Sequence, residues 1–326
     1  MPELVACGAI NWDVSCFVEH LPAPGEEVVV KRITRVSGGT GGNTAVAAAR
    51  ILGPGQVGLI GALGDDDIAR QQVSMLDAEG VMTSAITCVA GEESGQAHIL
   101  VDREGQNTIA SHLGANARLR PEHLRDASLQ HLLQECRGIV LTDPPLEAMP
   151  ELVGLASKRA IPLFWDPGIL TNHGWKNLQP FARQTDTLFL NEAEAYALFG
   201  ADDTGTCLQH LRGHESPRHV VLKRGSRGAI VVEPCTTALT QVPALPLKKL
   251  GLHVVNTVGC GDVFAGAYAA YRVLGADTQT SLIMASVAAG LNATHPETRG
   301  CPERATLEAT ERSSRKLGFA AETKPC

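Results

Sequence analysis

Asn256 to Gly266 reads NTVGCGDVFAG and runs directly into the small-residue stretch AYAAYRVLG, so a glycine-punctuated loop here opens a helix. Gly259 and Gly261 permit a tight turn and leave the amides of Gly259, Cys260, Gly261 and Asp262 available to an anion at the positive end of that helix. The stretch is a candidate phosphate cradle. Asp262 stands at the helix start, where its carboxylate either satisfies the first backbone amides or accepts a proton from a hydroxyl attacking a phosphate. The residues alone leave both roles open.

Outward from this loop, short apolar runs bounded by Gly or Asp alternate with helix-length segments. The strand-like runs are Leu4 to Ile10, Val57 to Gly61, Gly138 to Thr142, Pro162 to Asp166, Thr187 to Asn191 and His219 to Lys223. The helical ones include Asn43 to Leu52, Ile68 to Glu79, Glu147 to Arg159 and Glu192 to Phe199. This alternation predicts an α/β fold with a doubly wound, mostly parallel sheet, which binds ligands at the carboxyl ends of its strands. Two segments interrupt it, about 14–36 and 85–112, the second containing QAHILV and NTIASH. They read as extra strands, forming either a small β-sheet lid over the site or an edge extension of the main sheet. An amphipathic helix is expected over Arg304 to Leu317, followed by a frayed tail, AAETKPC.

A chain of 326 residues, 44% hydrophobic, buries one large core and excludes disorder as its main state. Its 28 Lys and Arg against 35 Asp and Glu give a net charge of −7, with no basic cluster to suit nucleic acid or an anionic membrane surface. The start, MPELVACGAINWD, has no basic region, and no apolar run reaches the roughly 20 residues of a membrane span, so a cytoplasmic protein is expected. Nine cysteines, an odd number without a CxxC pair, are read as reduced thiols rather than metal ligands.

Two further features point to a small-molecule site. In SGGTGGNTAVAAAR, Ser37 to Arg50, the glycines allow close backbone approach, and Asn43 either caps the following helix or offers its amide to a hydroxyl. Asp13 lies at the carboxyl end of the first strand, where an acid is costly unless it holds ligand hydroxyls or a partner; an exposed turn is the alternative. Trp12 beside it either stacks on a ligand ring or joins the core.

NTVGCGDVFAG resembles the second signature, DTxGAGDxFxxG, of the ribokinase-like (PfkB) family of carbohydrate kinases. Gly38 to Asn43 is similar to that family's first signature, GGxxxN, and the similarity continues through GALGDDDIARQQ, GANARLRP and NEAEAYALFG. Gly8, Asn11 and Asp13 match the GxxNxD pattern of the family's ribokinase branch. The resemblance implies a single kinase domain over 1–326 that uses ATP and Mg2+ to phosphorylate a primary hydroxyl of a sugar or nucleoside, and a homodimer through the lid.

What the resemblance implies for the site is specific. Asp262 is the catalytic base, and the amides of Gly259, Cys260 and Gly261 form the anion hole. Asn11, Asp13, Gly39, Thr40, Asn43 and Asp143 face the sugar. Asn191, Lys223, Gly225, Gly228 and Asn292 serve the nucleotide, the last from a helix walling the adenine slot, while Glu194 supports magnesium through water. For Asn191 and Glu194 a plain helix cap is the competing reading, and for Lys223 a solvated basic turn. Three positions depart from the family pattern: Asn256 replaces an Asp that helps hold a monovalent cation, Cys260 replaces Ala, and Thr40 replaces the Lys of many ribokinases. D-ribose going to ribose 5-phosphate is the leading expectation, with a nucleoside 5′-kinase second. A non-catalytic sugar or nucleotide sensor is the rival of another class, and retention of Asp262 argues against it. A nicotinamide-dependent dehydrogenase is set aside because the first strand leads into AINWD rather than GxGxxG.

Overall fold

The computed structural model describes residues 1–104, 106–200, 217–233 and 238–325, leaving Cys207, Cys235 and Cys326 outside the described residues. Strand β1 (Leu4–Gly8) is buried throughout, as a strand with no polar alternation must be, between two parallel neighbours. After Ala9 and Ile10 the backbone enters a second sheet as β2 (Asn11–Phe17) and returns antiparallel as β3 (Arg32–Gly38). Helix α1 (Thr40–Leu52), β4 (Val57–Leu63), α2 (Asp67–Ala78), β5 (Val81–Met82) and β6 (Ile86–Cys88) belong to the main body. β7 (Gly95–Val101) and β8 (Asn107–His112) complete the small sheet, whose order is β3-β2-β7-β8.

The next elements are α3 (Ala127–Leu132), β9 (Gly138–Thr142), α4 (Met149–Arg159), β10 (Leu163–Asp166), α5 (Trp175–Ala182), β11 (Thr187–Asn191), α6 (Glu192–Phe199) and β12 (His219–Lys223). An antiparallel extension, β13 (Ala229–Val232) and β14 (Ala238–Val242), precedes α7 (Cys260–Val273), α8 (Thr278–Asn292), α9 (Arg304–Arg315) and β15 (Glu322–Pro325). The main sheet runs β15-β14-β13-β12-β11-β10-β9-β1-β4-β5, with β6 also on β4, and is parallel from β12 through β5.

One core cluster packs α1, α7 and α8 on one face of the sheet through Val46, Phe264, Tyr268 and Leu282. The other packs α3 to α6 on the opposite face through Leu129, Leu152, Leu178 and Phe199. The fold is therefore doubly wound, as the alternation predicts. No helix among the described residues is long and apolar enough to cross a membrane.

Two expectations need correction. The small sheet is separate, but it spans residues 11–38 and 95–112: it starts earlier because β1 runs almost straight into β2, and residues 86–88 pair with β4 instead. The tail is not frayed. Glu322–Pro325 pairs antiparallel with β14, whose edge supplies the ladder that the sequence ETKP does not advertise.

Candidate active site

Four strands, β9 to β12, deliver polar residues to one end of the main sheet. Gly8 and Asp166 both register with Thr142, so β1, β9 and β10 end level, while Trp165 registers with Leu188, so β11 and its partner β12 run on to Asn191 and Lys223 at the same side of the sheet. Over these carboxyl ends lies a cavity of about 470 Å³ lined by Thr40, Asp143, Asp166, Asn191, Glu194, Lys223, Gly261 and Asp262, among others. Its position is the one that a doubly wound sheet offers to a ligand.

The glycine turn and α7 form one wall. Gly259 caps the helix at φ +78, in the left-handed region, and a Cβ there would lie 2.6 Å from the Thr298 carbonyl oxygen. The Cys260 amide donates to the Thr257 carbonyl at 3.3 Å, whereas those of Gly261 and Asp262 fall in the first turn, where helices have no internal acceptor. Burial raises the pKa of the Cys260 thiol, which makes it a poorer nucleophile than a free cysteine.

Asp262 does not cap its own helix. Its Oδ2 accepts from Asn43 Nδ2 at 2.9 Å, and its carbonyl accepts from Thr44 Oγ1 at 3.2 Å, joining the starts of α7 and α1. Burial pushes the Asp262 carboxyl up to about 7; the Asn43 bond and Lys223 oppose this, while Asp166 and Asp13 add to it. Asp13, 7% exposed on β2, is likewise pushed up to about 6 by burial, against the pull of Arg299. Asn11, two residues earlier on the same face, accepts from Asn116 Nδ2 at 2.8 Å. Trp12 points to the opposite face of the small sheet and is half-buried. Gly39, at φ +86, is the residue before α1, and Thr40 Oγ1 reaches the Thr142 carbonyl at 3.4 Å.

Asp143 is strained into the left-handed region at φ 50, and its Oδ1 accepts from the Ile169 amide at 2.9 Å. Burial, then Asp166 and Asp262, push its carboxyl up to about 8. Asp143 therefore joins a group of carboxylates around the cavity. Lys223 is their counter-charge: it pairs with Asp166, and although burial works against its ammonium, Asp166, Glu194 and Asp262 outweigh that and raise its pKa. Asn191 and Glu194 form a reciprocal capping box on α6, with Glu194 N to Asn191 Oδ1 at 2.9 Å and Asn191 N to Glu194 Oε2 at 2.8 Å. Both residues still line the cavity, so capping and ligand contact are compatible. Gly225 and Gly228, both at positive φ, bound the turn after β12.

Of the expected residues, Asn11, Asp13, Gly39, Asn43, Gly225, Gly228, Gly259 and Cys260 do not line the cavity, and neither do Asn292 and Asn256, whose side chains are engaged elsewhere. Asn292 is fully buried: its Oδ1 accepts from the Gly300 amide at 2.7 Å and its Nδ2 reaches Val258 O and Cys260 Sγ at 3.5 Å, so it braces the glycine loop instead of touching a nucleotide. Asn256 donates from Nδ2 to the Pro296 carbonyl at 3.0 Å and accepts from the Val258 amide at 3.0 Å. Both ends of its side-chain amide are thus engaged within the protein, and it lacks the negative charge with which the replaced Asp would attract a monovalent cation.

The sequence reading missed Asp166, although the end of a buried parallel strand is where it had singled out Asp13. It also missed Arg299, Asn116 and Gln72, whose Nε2 donates to the Asn11 carbonyl at 2.6 Å; these come from irregular or helical segments with no local signal.

Residues 1–305 match the family described as pfkB family carbohydrate kinase. The ATP-dependent ribose-1-phosphate kinase of Halopiger xanaduensis is 26% identical over 305 residues, covering 93% of this chain and 95% of that protein. The ribokinase of Bacillus subtilis is 28% identical over 296 residues, covering 90% and 93%. Among solved structures, Arabidopsis thaliana ribokinase complexed with ribose and ATP gives a TM-score of 0.84 at 25% identity, covering 95% of this chain and 99% of that one.

Proposed function

Because the chain belongs to the PfkB family of carbohydrate kinases and so is a phosphotransferase with a hydroxyl acceptor, we propose that it moves the terminal phosphate of ATP onto the primary hydroxyl of D-ribose, giving ribose 5-phosphate. The observation that carries this reading is the meeting of Asp262 with Asn43 beside Asp13: a half-buried, hydrogen-bonded carboxyl stands between the glycine turn and the two side chains best suited to sugar hydroxyls. The ribokinases among its relatives supply the choice of ribose.

Asp262 takes the proton of the acceptor hydroxyl as its oxygen attacks the terminal phosphorus and the bond to the bridging oxygen of the leaving ADP breaks. The amides of Gly259 and Gly261 and the positive end of α7 face the charge that develops on the transferred group, and the Cys260 amide joins them only by giving up its 3.3 Å bond to the Thr257 carbonyl. Lys223 adds a fixed positive charge on the nucleotide side. The small sheet covers the acceptor and keeps out water that would otherwise take the phosphate.

The oxygen-bearing pair Asn191 and Glu194 fits magnesium, which takes few carboxylates and retains several waters. Among the described residues no three His, Cys, Asp or Glu side chains form a metal cage, which matches an ion held partly by substrate phosphates. Magnesium, when bound, would neutralise charge on the phosphate oxygens.

The test is phosphoryl transfer from ATP across ribose, other pentoses, fructose and nucleosides, with Asp262→Asn alongside. Turnover on ribose that disappears in the variant supports the proposal. A preference for nucleosides moves the assignment to a nucleoside 5′-kinase, and ligand binding without turnover on any acceptor replaces it with the sensor.

A further inference from the structure

Arg299 lies in the irregular segment between α8 and α9, yet its guanidinium reaches across to the start of α1. Its Nε donates to Asn43 Oδ1 at 3.1 Å and its Nη2 to the Gly38 carbonyl at 3.2 Å. The backbone around it is held in turn, because Arg50 Nη1 donates to the carbonyls of Arg299 and Cys301 at 2.7 Å each while Arg50 also pairs with Glu79. A Cβ on Gly42 would stand 2.5 Å from Arg299 Nη2, so the α1 helix has a glycine where the guanidinium crosses it.

An amide side chain is nearly symmetric in shape and opposite in chemistry at its two ends. Arginine has donors only, so the end of Asn43 that meets Arg299 must be its carbonyl oxygen, and the end left for Asp262 must be its NH2 group. We propose that Arg299 is a positioning residue for phosphoryl transfer: it locks the Asn43 amide so that its N–H is aimed at the Asp262 carboxylate and its carbonyl cannot be. The inference rests on the reading of Asp262 as the base.

The lock matters because of what surrounds Asp262. Asp13 acts on it from β2, Asp143 from the turn after β9 and Asp166 from β10, with Glu194 on α6 behind Asp166 and Asp143, while Lys223 on β12 and Arg299 are the cations. Burial and these acids favour the protonated, catalytically useless form. The Asn43 donor and the two cations favour the anion, and a flipped Asn43 would set a carbonyl oxygen against it.

Arg299→Met keeps length and apolar bulk but removes every donor. The expected result is an acid limb of the kcat/KM profile displaced upward by about one pH unit, hence about a tenfold loss near pH 6 and a smaller one at pH 9. Arg299→Lys, which retains a donor and a charge, should fall between parent and Met variant, and it supplies the readout if the Met variant does not fold. In an Asn43→Ala background Arg299→Met should produce a smaller displacement, only the part owed directly to the Arg299 charge, since the lock is already gone. An acid limb that stays in place while kcat falls at all pH values overturns the proposal, as does full additivity with Asn43→Ala. Asp262→Asn separates the two levels: loss of turnover there with an unmoved acid limb in the Arg299 variants sinks only the lock, while retained turnover sinks the base reading and the lock with it.

Discussion

Replacing Lys223 with Met removes an ammonium whose charge is shared among the cavity carboxylates. The Lys223 and Asp166 side chains are only 13% and 9% exposed, so the deletion strands a buried anion with little water to screen it. Breaking such a pair from one side costs about 3–5 kcal/mol. At roughly 2.1 cal/mol/K per residue the unfolding entropy of a 326-residue chain is about 0.7 kcal/mol/K, so a loss of about 4 kcal/mol lowers the melting temperature by about 6 °C.

The sign with pH follows from the raised carboxyls. Asp143 at about 8 and Asp262 at about 7 both lie above the ordinary carboxyl value of 3.8, so the folded chain holds protons that the unfolded chain releases. Their contribution to stability is fully present below about pH 4 and is lost as pH rises through 7 and then 8. Without Lys223 these groups rise further, so the deficit of the variant is greatest in alkaline buffer and shrinks on acidification. Calorimetric melting of the parent, Lys223→Met, Asp166→Asn and the double variant at pH 8.5, 7 and 5.5 measures this directly. The double variant should regain much of the loss, because it no longer contains the stranded anion. A Lys223→Met protein that melts with the parent at every pH, or a deficit that grows in acid, refutes the reasoning.

With Asp262 pushed up to about 7, kcat/KM should fall on acidification below that pH, approaching tenfold per unit, in a stopped assay over pH 5 to 9. Gly259→Ala puts a Cβ into the left-handed region 2.6 Å from the Thr298 carbonyl, so it should lose at least about 1 kcal/mol of stability and distort the cradle, raising KM for ATP and lowering kcat together. Exchanging potassium for sodium at constant ionic strength should leave the rate unchanged, since Asn256 already bridges Val258 and Pro296; activation by potassium would contradict that. Chelating divalent ions should abolish turnover but leave the melting temperature of the free protein in place, because no described residues form a metal cage on their own.

The central strands were legible because burial on both faces leaves continuous apolar runs such as LVACG and GIVLT. Asp262 was legible because a backbone cradle needs glycines at fixed offsets. The periodicity of α8 could not reveal that Asn292 turns inward, since that helix is buried on nearly every side. Arg299 was out of reach for a different reason: its partner Asn43 is 256 residues away, and only tertiary packing brings the two together. ETKP gave no sign of a strand because its ordering comes from the partner edge, β14.

The division of the candidate site between two sheets has an evolutionary reading. Asn11 and Asp13 ride on the small sheet, whereas Asn43, Asp262 and the glycine turn belong to helices of the main body. Recombination that exchanged residues 11–38 and 95–112 between paralogues would carry Asn11 and Asp13 across as a block while Asn43, Asp262 and the glycine turn stayed in their original frame. Acceptor choice in such a lineage could drift by cassette replacement, with the helix-borne half of the site inherited unchanged.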